Sequence, residues 1–81
     1  MMPASVCASF AVVWRLRGLR GTIMTCCLDR LPNETFELRI LHNGDVQMRE
    51  LHSTADAATQ RAAALARTLR LNGWTCVQDR P

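Results

Sequence analysis

Residues 53–74, STADAATQRAAALARTLRLNGW, carry both a start and a stop signal for one amphipathic helix, and whatever this chain folds into must cover one side of it. Ser53, followed three residues later by Asp56, approximates a capping box. It offers a hydroxyl to an orphan amide and a carboxylate to the positive end of the helix dipole. At about 100° per residue, Ala58, Ala62, Leu65 and Leu69 share one face, with Ala55 and Ala66 at its border; Asp56, Gln60, Ala63, Arg67 and Arg70 lie opposite. The small alanines let the helix axis approach closely, which suits a small sheet better than a second bulky helix. Asn72-Gly73 supplies the left-handed residue that ends such a helix, and Trp74 can fold back on its last turn.

The partner for that face precedes it. Phe36, Leu38 and Ile40 alternate with Glu37 and Arg39, then Leu41-His42-Asn43-Gly44-Asp45 interrupts, and Val46, Gln47, Met48 and Arg49 follow: a β-hairpin over about 36–50. A two-residue Asn43-Gly44 turn would pair Leu41 with Val46, set Leu38 opposite Arg49 and mix apolar with charged on both faces. A three-residue loop, His42-Asn43-Gly44, with Gly44 left-handed in a bulge, instead pairs Ile40 with Val46, Leu38 with Met48 and Glu37 with Arg49. The three-residue loop is therefore expected, with one apolar face for the helix and one polar face for water. Leu51 is expected as an apolar staple to the helix, and His52 as a solvated link. After the helix (about 54–72), Trp74-Thr75-Cys76-Val77 reads as a short third strand (about 74–77) beside the hairpin. The expected fold is α+β, a small β-β-α-β unit over residues 34–78, with residues 79–81 as a tail.

The first third reads differently. Residues 1–23 contain Arg15, Arg17 and Arg20 and no acid, whereas residues 24–81 hold seven arginines and seven acids, so the net charge of +3 belongs to the leader. All ten basic side chains are arginine. The leader places its apolar stretch before its arginines, the reverse of a secretory signal. Residues 1–33 are expected to be a leader and linker, poorly ordered or weakly helical, with Met24 as a possible translation start. If present, Phe10, Val13 and Trp14 beside Arg15, Arg17 and Arg20 would form a membrane-surface anchor. No apolar run reaches the roughly 18–20 residues of a spanning helix.

Chemistry-bearing motifs are few. Met24-Thr25-Cys26 resembles the start of the metal loop of small copper-chaperone-like domains, but Asp29 stands where the second cysteine is required and Pro32 interrupts the helix that should follow. Neither His42 nor His52 restores a ligand pattern, so no metal and no cofactor is expected. There is no nucleophile–base pairing at recognisable spacing, no glycine-rich phosphate loop and no paired carboxylates, and enzymatic activity is not expected. The Asn-Gly hairpin followed by an alanine- and arginine-rich helix ending in Gly-Trp is similar to short bacterial proteins of that pattern, a likeness that carries no chemistry.

The function expected is a cytoplasmic protein-interaction or regulatory module. Its candidate surface is Leu71 and Trp74 with Arg67 and Arg70, and its partner a second copy or another protein, because a sheet this small leaves open edges. The alternative is an arginine-mediated nucleic-acid binder using Arg39, Arg49 and Arg61, against which stand a domain of zero net charge and an outer sheet face without stacking aromatics. A further alternative is membrane-surface attachment through residues 1–23.

Overall fold

The computed structural model describes residues 11–77. Their elements are β1 (Ala11–Arg17), a single 3-10 turn (Leu19–Gly21), β2 (Ile23–Arg30), β3 (Phe36–His42), β4 (Asp45–His52), α1 (Ala55–Leu71) and β5 (Thr75–Cys76). The strands form one sheet in the order β4-β3-β2-β1-β5, and every neighbouring pair is antiparallel. The class is α+β, with the hairpin, the helix and the short last strand all present. The leader is where the chain departs from expectation: residues 11–30 supply two strands. Trp14 and Leu16 alternate with Arg15 and Arg17 in β1, and Met24, Cys26 and Leu28 alternate with Thr25, Cys27 and Asp29 in β2. That is the period-two pattern of a sheet with one covered face. Leu31-Pro32-Asn33-Glu34, a turn or linker by its sequence, is the tight β2–β3 turn. It is closed by Glu34 N–H to Leu31 C=O (3.0 Å) and Leu31 N–H to Thr35 C=O (2.7 Å), with Glu34 left-handed at φ 64°.

The β3–β4 register corrects a second expectation. Asn43 (φ 53°) and Gly44 (φ 92°) are both left-handed, so the turn has two residues, and Leu41 faces Val46. A one-residue bulge at Gln47 then shifts the ladder, setting Ile40 opposite Met48 and Leu38 opposite Glu50. The bulge supplies the face correction that the three-residue loop was invoked to provide. Primed turns match the strand twist, which is why the shorter turn wins. The turn is also clamped to β2, because the Asn43 N–H reaches Ile23 C=O at 2.8 Å and the Ile23 N–H returns to Asn43 Oδ1 at 2.9 Å.

The core lies between α1 and one sheet face. Leu38, Cys26, Ala58 and Ala62 are fully buried, Leu16 and Ile40 nearly so, and Trp14, Met24, Leu28, Met48 and Leu65 pack around them. Because Ala58 and Ala62 carry only a methyl, α1 approaches the sheet closely enough for the Trp14 indole N–H to donate to Ala62 C=O at 2.8 Å. Farther along, Leu65 and Leu69 only half fill the space, leaving a slot of about 270 Å3 beside Met24, Met48 and His42. Burial raises the Cys26 thiol to about 12, with neighbouring Cys27 adding to the effect, so it acts as a small core hydrophobe.

Two further expectations change. The helix is capped by Thr54 rather than Ser53, whose hydroxyl would have had to reach one residue too far; Thr54 Oγ1 accepts from Ala57 N–H at 3.1 Å. Leu51 lies opposite Glu37 on the sheet face away from α1 and is 64% exposed, so it is not a staple. With Val12 and Val46 it makes that face mixed rather than polar.

Candidate functional site

The site is built where α1 ends. Asn72 closes the helix, Gly73 turns left-handed at φ 100°, its N–H bonds Arg70 C=O (3.1 Å), and the Trp74 N–H reaches back to Leu69 C=O (3.1 Å). This paired arrangement satisfies the last helical carbonyls and reverses the chain. The reversal aims residues 75–77 back along β1. Leu16 faces Cys76, Arg17 faces Thr75, and the Val77 N–H donates to Arg15 C=O at 3.0 Å. The last strand thus pairs with β1, not with the β3–β4 hairpin, because the helix crosses the whole sheet from the β4 edge before it ends.

Trp74 is half-buried rather than exposed. Its ring lies over Gly18, where an added Cβ would come within 2.8–2.9 Å of three ring carbons, and it meets His42 edge-on with centroids 6.5 Å apart. Leu71, by contrast, is 83% exposed.

Between the end of α1 and β5 runs an open groove of about 890 Å3. The helix supplies Ala63, Ala66, Arg67 and Arg70, the reversal supplies Leu71 and Trp74, and β5 supplies Thr75 and Cys76. All four residues expected to form an interaction surface therefore converge on one feature. Thr75, Cys76 and the small-residue floor of Ala63 and Ala66 were not foreseen. A two-residue strand gives almost no periodicity to read, and Ala63 falls on the polar side of the helix. On β5, the edge away from β1 has no neighbouring strand among the described residues. Cys76 is an exposed free thiol.

The chain matches no protein family, curated protein or solved structure. Its site must therefore be read from its own charges.

The arginines divide into two groups. Arg39 and Arg49 face each other across β3 and β4, and both reach Glu37, a carboxylate only 3% exposed. Arg49 approaches Glu37 Oε2 at 2.6 Å and Arg39 approaches Oε1 at 3.2 Å. The Glu37–Arg49 contact expected from sequence is therefore present, but it is diagonal across the ladder. Arg61 holds Glu50 with Nε and Nη2 at 3.1–3.2 Å, tying α1 to β4, and His52 Nε2 lies 3.0 Å from the same carboxylate. The Arg61 hydrogen bond holds the Glu50 carboxyl below its ordinary 4.5; burial opposes it, and His52 adds a lesser lowering effect. So the three arginines named for nucleic acid are dispersed over three elements, β3, β4 and α1, each against an acid. Among the described residues, Arg67 and Arg70 make no ion pair, and the six acids (Asp29, Glu34, Glu37, Asp45, Glu50, Asp56) all lie outside the groove.

Proposed function

We propose that this protein is a non-catalytic interaction module that captures a partner protein in the groove between the end of α1 and β5. The observation that carries the reading is the convergence of Arg67, Arg70, Leu71 and Trp74 on one groove whose arginines meet no acid among the described residues. A half-buried aromatic anchor beside small apolar residues, rimmed by arginine, is the composition of a contact hot spot. A partner also supplies what the small core lacks, since it covers Leu71 and an open strand edge. Cytoplasmic action belongs to the same proposal and is consistent with Cys26 and Cys76 being free thiols. No helix of the described residues is long and apolar enough to cross a membrane. Membrane attachment through the leader finds little support, because Trp14, its expected anchor, lies under α1 with its N–H engaged. Phe10 lies outside the described residues.

The test places a photo-crosslinking p-benzoylphenylalanine at position 71, in the otherwise unaltered chain and in the double variant Arg67→Glu/Arg70→Glu. A discrete protein adduct, lost on charge reversal, is expected. No adduct, or adducts indifferent to the reversal, would overturn the reading. An adduct of twice the chain mass would identify the partner as a second copy.

A further inference from the structure

We infer that the groove takes an extended, acidic segment of its partner, which adds to β5 as a sixth strand beside the end of α1; this rests on the interaction reading above. Three independent observations lead to it. The first is an unfinished edge. β5 is bonded to β1 through Thr75 and Val77, which face Arg17 and Arg15, so the Cys76 N–H and C=O point to the other side, where no strand lies among the described residues. An added strand is the occupant that satisfies both of these groups at once, and it places alternate side chains toward the helix.

The second is room in the right place. The groove is lined on the helix side by Ala63 and Ala66 and on the strand side by Thr75 and Cys76. Small side chains on the helix leave the depth of one sheet layer, about 10 Å between packed layers. A bulky helix would need the wider, flatter seat that Leu71 and Trp74 do not provide on their own.

The third is charge. Arg67 and Arg70 rim the groove three residues apart, one helical turn, and neither is engaged by an acid among the described residues. Arg17 lies opposite Thr75 on the adjoining strand, and no acid lies on β1, β5 or the second half of α1. The opposite edge of the sheet, at β4, carries Asp45 and Glu50 and has its arginines occupied. An acidic strand is thus drawn to one edge and not the other. Nucleic acid is the other polyanion to consider, but it would leave the strand edge and the apolar floor unused.

The experiment titrates the full chain into a short fluorescein-labelled peptide alternating Glu and Val, read by anisotropy, with amide shifts recorded in parallel. Controls are the matching Lys-Val peptide, a single-stranded oligonucleotide of equal charge, and two versions of the Glu-Val peptide N-methylated on one or the other set of alternate amides. Binding of the Glu-Val peptide is expected, with shifts at Thr75, Cys76 and Val77. Only one of the two methylated versions should lose affinity, because only one edge of the added strand faces β5. Arg67→Glu/Arg70→Glu should weaken the Glu-Val peptide about tenfold, two exposed ion pairs being of that order, and should favour the Lys-Val peptide instead. Both arginines are exposed on the helix, and Arg67→Gln/Arg70→Gln serves as the milder check that the fold is kept. Equal binding of both methylated versions, shifts confined to β4, or tighter binding of the oligonucleotide would each overturn the inference. If position 71 still crosslinks a partner while the acidic peptide does not bind, the strand-addition idea fails and the broader interaction reading survives.

Discussion

Gly18 has no side chain at the place where the Trp74 ring rests, and that absence lets the β1–β2 loop and the end of α1 meet. Its backbone is ordinary, at φ −98°, so alanine there would be neutral or slightly stabilising if nothing stood in the way. Because the ring does stand in the way, Gly18→Ala is expected to destabilise by about 1–2 kcal/mol in urea unfolding. Most of that loss should vanish in a Trp74→Leu background, the signature of two coupled positions. Glu50 is the residue through which pH reaches the fold. Its carboxyl is held low by Arg61 and His52, so the pairing contributes stability above the ordinary 4.5 and loses it as the pH falls through the lowered folded value. In Glu50→Gln, the drop in urea midpoint between near-neutral and strongly acidic buffer should be smaller than in the parent. An equal drop would mean that other carboxyls account for the acid sensitivity.

At the scale of elements, the helix was readable because both its ends are chemically marked, and only its cap moved, by one residue, from Ser53 to Thr54. The hairpin was readable from Asn43-Gly44, yet its register was not. The bulge at Gln47 that realigns Ile40 with Met48 leaves no mark in composition or period, so a longer loop seemed necessary to keep the faces apart. β1 escaped notice for another reason: Arg15 and Arg17, which belong to its outer side, read as the charged half of a leader once Arg20 was added to them. The same blindness affected the site. Leu71, Trp74, Arg67 and Arg70 could be picked out because they cluster at a marked helix end, whereas β5, which completes the groove, is too short to announce itself. One turn carries testable strain. Glu34 is left-handed at the tip of β2–β3, where glycine is the easy choice. Glu34→Gly should stabilise by about 0.5–1 kcal/mol, the relief of a left-handed side chain less the added freedom of the unfolded chain. An unchanged or lower urea midpoint would count against the strain.

Taken whole, the molecule has a charge axis along its sheet. The β3–β4 side holds Glu37 and Glu50 against Arg39, Arg49 and Arg61, whereas Arg67 and Arg70 beside β5 meet no acid among the described residues. The fold also makes β1 indispensable. A chain begun at Met24 would lack Trp14 and Leu16, expose the β2 edge and leave β5 with nothing to pair with. Such a chain should show no cooperative thermal transition by circular dichroism, whereas the full chain should melt in a single step. A cooperative melt of the shorter chain would mean that the β2–β3–β4 meander and α1 suffice.

The strand order β4-β3-β2-β1-β5 places the last described strand against the first. On the ribosome, β1 through β4 emerge and can zip together in succession, each against its predecessor, but the proposed docking edge waits for residues 74–77. A chain stopped before residue 74 therefore has most of its core and lacks the proposed docking edge, and a partner that reads that edge would distinguish chains that carry β5 from chains that do not.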